Sequence, residues 1–116
     1  MKMIEVKVAE ATGRVLDYLV ERAIAGDEYS EEETLQAAKA NTLRYSTDWG
    51  RTGRFLQPCD VELFIQPTAK GRHGAGIRDK VRVCSDSYLV SACRVIVIAK
   101  LGGVVPVPAG VAELTS

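Results

Sequence analysis

The chain has 116 residues, 47 % of them hydrophobic, and its fifteen positive side chains balance fifteen negative ones. That length carries one domain around one core. With zero formal net charge there is no overall field to draw the molecule onto nucleic acid or an anionic membrane, so any electrostatic partner must be engaged locally.

At the start, Met1-Lys2-Met3-Ile4-Glu5-Val6-Lys7 interrupts each apolar run with charge, unlike a secretory signal, and no later run reaches membrane-spanning length. The expectation is a soluble, cytoplasmic protein. Ile4, Val6 and Val8 alternate with Glu5 and Lys7, which predicts a first strand with one face on a core. Thr12 then stands where its hydroxyl can cap a helix, and Val15, Leu16, Leu19, Val20, Ala23 and Ile24 recur at helical spacing up to Gly26. The opposite face, with Arg14, Asp17, Tyr18, Glu21 and Arg22, is expected to face water.

Residues 27–44 crowd Asp27, Glu28, Glu31, Glu32 and Glu33 together, and Ser30-x-x-Glu33 has the form of a capping box for a short helix running towards Ala40. With only Leu35, Ala38 and Leu43 as apolar contacts, this segment reads as a peripheral acidic insertion. Residues 45–60, punctuated by Gly50, Gly53 and Pro58, read as a loop or a short irregular element. Val61-Glu62-Leu63-Phe64-Ile65 and Val81-Arg82-Val83 predict two strands paired as a hairpin, with a long, mobile, basic tip over 67–78.

Between Ser87 and Leu101 the run Val95-Ile96-Val97-Ile98 would suit a strand, but the length and the ends decide for a helix. Ser85 or Ser87 can cap it and Gly102 or Gly103 can end it with a left-handed turn. Apolar nearly all round, it is expected at the centre of the fold, with Ser87, Ser91 and Arg94 as its polar stripe. Val104-Val105-Pro106-Val107-Pro108 opens an extended tail over 104–116, whose prolines confine it to a sheet edge or to no ladder. The fold class predicted is α+β: two principal helices packed on a small antiparallel sheet made of the first strand and the hairpin.

Three segments taken in order resemble the NinX-like family of small phage and prophage proteins. They are Thr12-Gly13-Arg14-Val15-Leu16-Asp17-Tyr18, then Ser46-Thr47-Asp48-Trp49, then Ala92-Cys93-Arg94 running to Ala99-Lys100-Leu101-Gly102 and Val105-Pro106-Val107-Pro108. The resemblance implies a phage or prophage origin and a place in the host cytoplasm. It supplies no reaction and no cofactor.

The residues offer several candidate sites. Trp49 is the chain's one tryptophan, and its large amphipathic ring is expected to be buried as the anchor of the 45–50 loop. Beside it, Thr47 and Asp48 suit a small polar ligand stacked on the ring, or else an Asx or ST turn closing on its own backbone. Arg14, Asp17, Asp48 and Arg94 are placed to converge as a buried ion-pair network joining both helices to the loop. Lys70, Arg72, Arg78, Lys80 and Arg82, offset only by Asp79, form the candidate nucleic-acid contact, although the tip has no aromatic residue for base stacking.

His73 is the sole histidine and stands in the same tip, without Cys or carboxylate partners at metal-ligand spacing. No nucleophile has an oriented base beside it, and the glycines at 71, 74 and 76 are not followed by the Lys-Ser/Thr of a phosphate loop. Cys59, Cys84 and Cys93 are odd in number and widely spaced, which points to reduced, packed thiols and not to a disulfide framework or a zinc site. The sequence therefore points to a non-catalytic binding domain with no metal or cofactor. Its expected partner is a protein, another copy of the chain included, with nucleic-acid binding by the basic tip as the alternative.

Overall fold

The computed structural model of the chain describes residues 3–66, 73–77 and 81–114. It is an α+β protein whose described elements are β1 (Met3–Lys7), α1 (Gly13–Ala25), α2 (Glu31–Lys39), α3 (Trp49–Thr52), β2 (Val61–Ile65), β3 (His73–Ile77), β4 (Val81–Ser85), α4 (Tyr88–Leu101), β5 (Val104–Pro108) and α5 (Ala109–Ala112). No helix among the described residues is long and apolar enough to cross a membrane.

The all-round apolar character of α4 has a clear cause. Leu89, Cys93 and Val97, spaced by four, join Leu16, Leu19 and Val20 of α1 in the larger core cluster. Ala92 and Val95, on another face of α4, pack with Ala75, Ile77, Val81 and Val83 of the sheet. A helix sandwiched between two layers needs apolar side chains on both flanks. Its ends are as expected: Ser87 Oγ accepts from the N–H groups of Leu89 and Val90, and Gly102 closes the helix with φ 101°.

The capping box of α2 is complete. Glu33 N–H donates to Ser30 Oγ at 3.1 Å and Ser30 N–H to Glu33 Oε1 at 3.3 Å. With Leu35 and Ala38 turned into the core, α2 docks on α1 as an integral helix. At the start of α1, by contrast, Thr12 takes the N-cap position without a hydrogen bond from its side chain to the first turn.

The sheet departs from the expected arrangement in two ways. β1 does not join the hairpin; it pairs antiparallel with β5, Ile4 opposite Val107 and Val6 opposite Val105, as a separate two-stranded sheet. The Val-Pro segment is thus a paired strand, with Val107 and Pro108 buried, followed by the short helix α5. Two strands suffice here because Val107 and Val111 bury against the main core while Pro106 and Pro108 belong to a strand with a single partner.

In the second sheet the order is β2-β3-β4, so the predicted strands at 61–65 and 81–83 do not pair with each other. The intervening strand is His73-Gly74-Ala75-Gly76-Ile77, inside the stretch expected to be a mobile tip. Its glycines answer to a close approach. A Cβ on Gly74 would lie 2.4 Å from the Phe64 ring, which rests across β3 on the face away from α4.

Candidate functional site

The Tyr45–Thr52 segment is held from both principal helices. Ser46 N–H donates to Asp17 Oδ1 of α1 at 2.7 Å, Ser46 Oγ to Gly13 O at 3.3 Å, and Tyr45 OH to Glu21 Oε2 at 2.5 Å. From α4, the Cys93 thiol donates to Tyr45 O at 3.3 Å, and that carbonyl also accepts from Thr52 Oγ1 at 2.6 Å. The turn that sets this up starts at Arg44, in the left-handed region at φ 58°, whose carbonyl accepts from the N–H groups of Thr47 and Asp48. Each bond satisfies a group that the loop removes from water, so the segment is a structural clasp between α1 and α4.

Asp17 is consequently buried, at 3 % exposure, and Tyr18, at 2 %, is buried as well, so neither belongs to the solvated face that the helical spacing assigns them. The aromatic anchor of the loop is Tyr45, not Trp49. Tyr45 is buried and meets Phe55 edge-on with ring centroids 6.3 Å apart, whereas Trp49 is 45 % exposed. Thr47 is exposed, and Asp48 is a helix cap: its Oδ1 accepts from Gly50 N–H at 2.8 Å and its Oδ2 lies 4.0 Å from Arg51 Nε. The turn reading therefore describes Asp48.

The expected network of Arg14, Asp17, Asp48 and Arg94 does not form. Among the described residues the ion pair within 4.0 Å is Asp48 with Arg51. Asp17 spends its carboxylate on a backbone N–H, which provides a better-fixed donor than a long side chain. Arg94, 8 % exposed, donates from Nε to Ala11 O at 3.0 Å and so ties α4 to the segment before α1. Arg14 is half-buried on the first turn of α1.

Of the candidate nucleic-acid residues, Lys70, Arg72, Arg78 and Lys80 lie outside the described residues. Arg82, exposed on β4, stacks its guanidinium 4.1 Å from the centroid of Phe64, so the ring that the hairpin could have offered to a base is already covered. His73 is fixed in β3, edge-on to Tyr88 at 4.7 Å, with its Nδ1 buried and unpartnered. Among the described residues no three His, Cys, Asp or Glu side chains gather closely enough to hold a metal ion.

Burial sets the titration of the clasp. It pushes the Cys93 thiol from its ordinary 9.0 up to about 12, against a smaller lowering by the Thr52 hydroxyl. It also raises Tyr45, helped by the hydrogen bond to Glu21, and pulls the Arg94 guanidinium below its ordinary value. Cys93 is accordingly an inert thiol. In the folded protein at pH 8 an alkylating reagent should modify the half-buried Cys59 and Cys84 and spare Cys93, which reacts only on unfolding; mass spectrometry of the alkylated peptides reads this directly. Above pH 9 the unfolded chain releases the Cys93 proton while the folded one keeps it, so stability should fall with rising pH, by at most about 1.4 kcal/mol per pH unit from this group.

Ser46, Thr52 and Cys93 belong to the clasp without any motif in the sequence that marks them. Only the small size and polarity of Thr52 in an otherwise charged stretch hinted at burial. The chain matches no protein-family model, no curated protein and no solved structure.

Proposed function

We propose that the protein is a non-catalytic binding domain that works by associating with protein, a second copy of itself first. The observation that carries this reading is the outer edge of the three-stranded sheet. Leu63 and Ile65 of β2 are 43 % and 59 % exposed, on the face that α4 covers mainly over β3 and β4. β2 is an edge strand, closed at Val61, whose N–H donates to Leu56 O at 2.8 Å, and by alternation the N–H groups of Leu63 and Ile65 point the same way, beyond that turn. Within Val61–Ile65 there is no lysine or proline of the kind that usually guards such an edge. Zero net charge leaves copies of the chain without long-range repulsion.

The resemblance to the NinX-like family supports a phage or prophage protein acting in the host cytoplasm. Light scattering after size exclusion tests the association: the protein should run as a dimer at about 100 µM and dissociate on dilution, and Leu63→Lys with Ile65→Lys should be monomeric throughout. A wild-type protein that is strictly monomeric at that concentration contradicts self-association.

A further inference from the structure

Apart from the clasp and the sheet edge, α4 carries a positive charge that the fold leaves unanswered. Arg94 is 8 % exposed, and among the described residues the acceptor for its N–H groups is Ala11 O, 3.0 Å from Nε. Among the described residues its terminal amino groups have no hydrogen bond and no carboxylate within 4.0 Å. These nitrogens are not among the buried side-chain atoms without a partner, so water reaches them, and the guanidinium, which stays protonated in a protein, is open to an anion there.

The Arg94 side chain lines a cleft of about 770 Å³, a size that suits a small organic ligand. Thr12 and Ser87, the N-cap residues of α1 and α4, line the same cleft. Ser87 Oγ accepts from Leu89 and Val90 N–H, which leaves its own O–H to donate. Ala9 and Val90 add apolar wall. Glu10 and Asp86, both exposed, complete the rim and limit the ligand's charge, because a phosphate dianion would face two carboxylates for one guanidinium.

We propose that this cleft binds a small ligand through its carboxylate, seated on the Arg94 guanidinium between Thr12 and Ser87, with an adjoining apolar group on Ala9 and Val90. The planar guanidinium fork matches a carboxylate, and the buried floor strengthens the contact relative to water.

The test is a titration of the full-length ¹⁵N-labelled protein at pH 7, following the Arg94 Nε–H signal, with N-acetyl-L-leucine, L-leucinamide and inorganic phosphate as separate probes. N-acetyl-L-leucine should give a saturable shift with a Kd of about 1 mM or tighter, L-leucinamide none, and phosphate binding at least about tenfold weaker. Arg94→Lys should weaken the carboxylate probe by about tenfold or more, since a lysine cannot reproduce the fork. Should that variant unfold, Glu10→Gln with Asp86→Asn, which changes only exposed positions, should tighten the same probe several-fold by removing rim repulsion. No saturable shift with N-acetyl-L-leucine, an equal response to L-leucinamide, tighter binding of phosphate, or an unchanged affinity in the Glu10→Gln Asp86→Asn protein would each overturn the proposal.

Discussion

Leu19→Ala should lower the unfolding free energy by about 2–5 kcal/mol, seen as a shift of the urea midpoint at unchanged slope. Leu19 has no exposed surface and sits on the α1 stripe that meets Leu89, Cys93 and Val97 of α4. Removing most of its side chain takes away transfer free energy and leaves a cavity between two helices that cannot close together, because α4 is also fixed to the three-stranded sheet on its other flank. The half-exposed Val104, changed to alanine, should cost no more than about 0.5 kcal/mol. Similar losses at both positions would contradict the placement of the core between α1 and α4.

Asp17→Ala should be the most disruptive change in the clasp, at about 2–3 kcal/mol. Its carboxylate accepts the buried Ser46 N–H at 2.7 Å, a charge-assisted bond, and alanine would leave that N–H without an acceptor and a void in place of the carboxylate. Asp17→Asn should cost less, since an amide oxygen can accept the same N–H. Amide exchange separates the clasp from a general loss of stability: in Asp17→Ala the Ser46 N–H should exchange by local opening, faster than the core amides of α4. An Asp17→Ala protein with a protected Ser46 amide and a loss under about 0.5 kcal/mol would mean that the loop is held by its other contacts.

The parts of the fold that were legible in the sequence are those decided by local chemistry. Ser30-x-x-Glu33 specifies the start of α2, and the apolar run from Tyr88 to Leu101 with a serine before it and a glycine after it specifies a central helix. β3 was not legible because His73-Gly74-Ala75-Gly76-Ile77 has little side-chain mass to alternate. What makes it a strand is Phe64 lying across Gly74, a contact set by tertiary packing.

The candidate site was legible only in outline. The sequence marked residues 45–50 as anchored, yet two aromatic residues there competed for the buried position, and hydrogen bonding decided between them. Tyr45 reaches Glu21 with its hydroxyl, while Trp49 sits on the exposed side of a helix of four residues capped by Asp48. Helical spacing sets Asp17 among solvated residues because it reports only which residues share a face. That this face meets a loop 29 positions along the chain is a property of the fold. Arg94 likewise stood in the expected polar stripe of α4, but its partner is a backbone carbonyl 83 positions away.

Association through the outer edge of β2 is best tested by amide exchange of the wild-type protein measured at about 5 µM and at about 200 µM. The amides of Leu63 and Ile65 should be exchange-labile in the dilute sample and protected in the concentrated one, while the amides of β4 and α4 are the same in both. Identical exchange at Leu63 and Ile65 across the two concentrations would contradict that association.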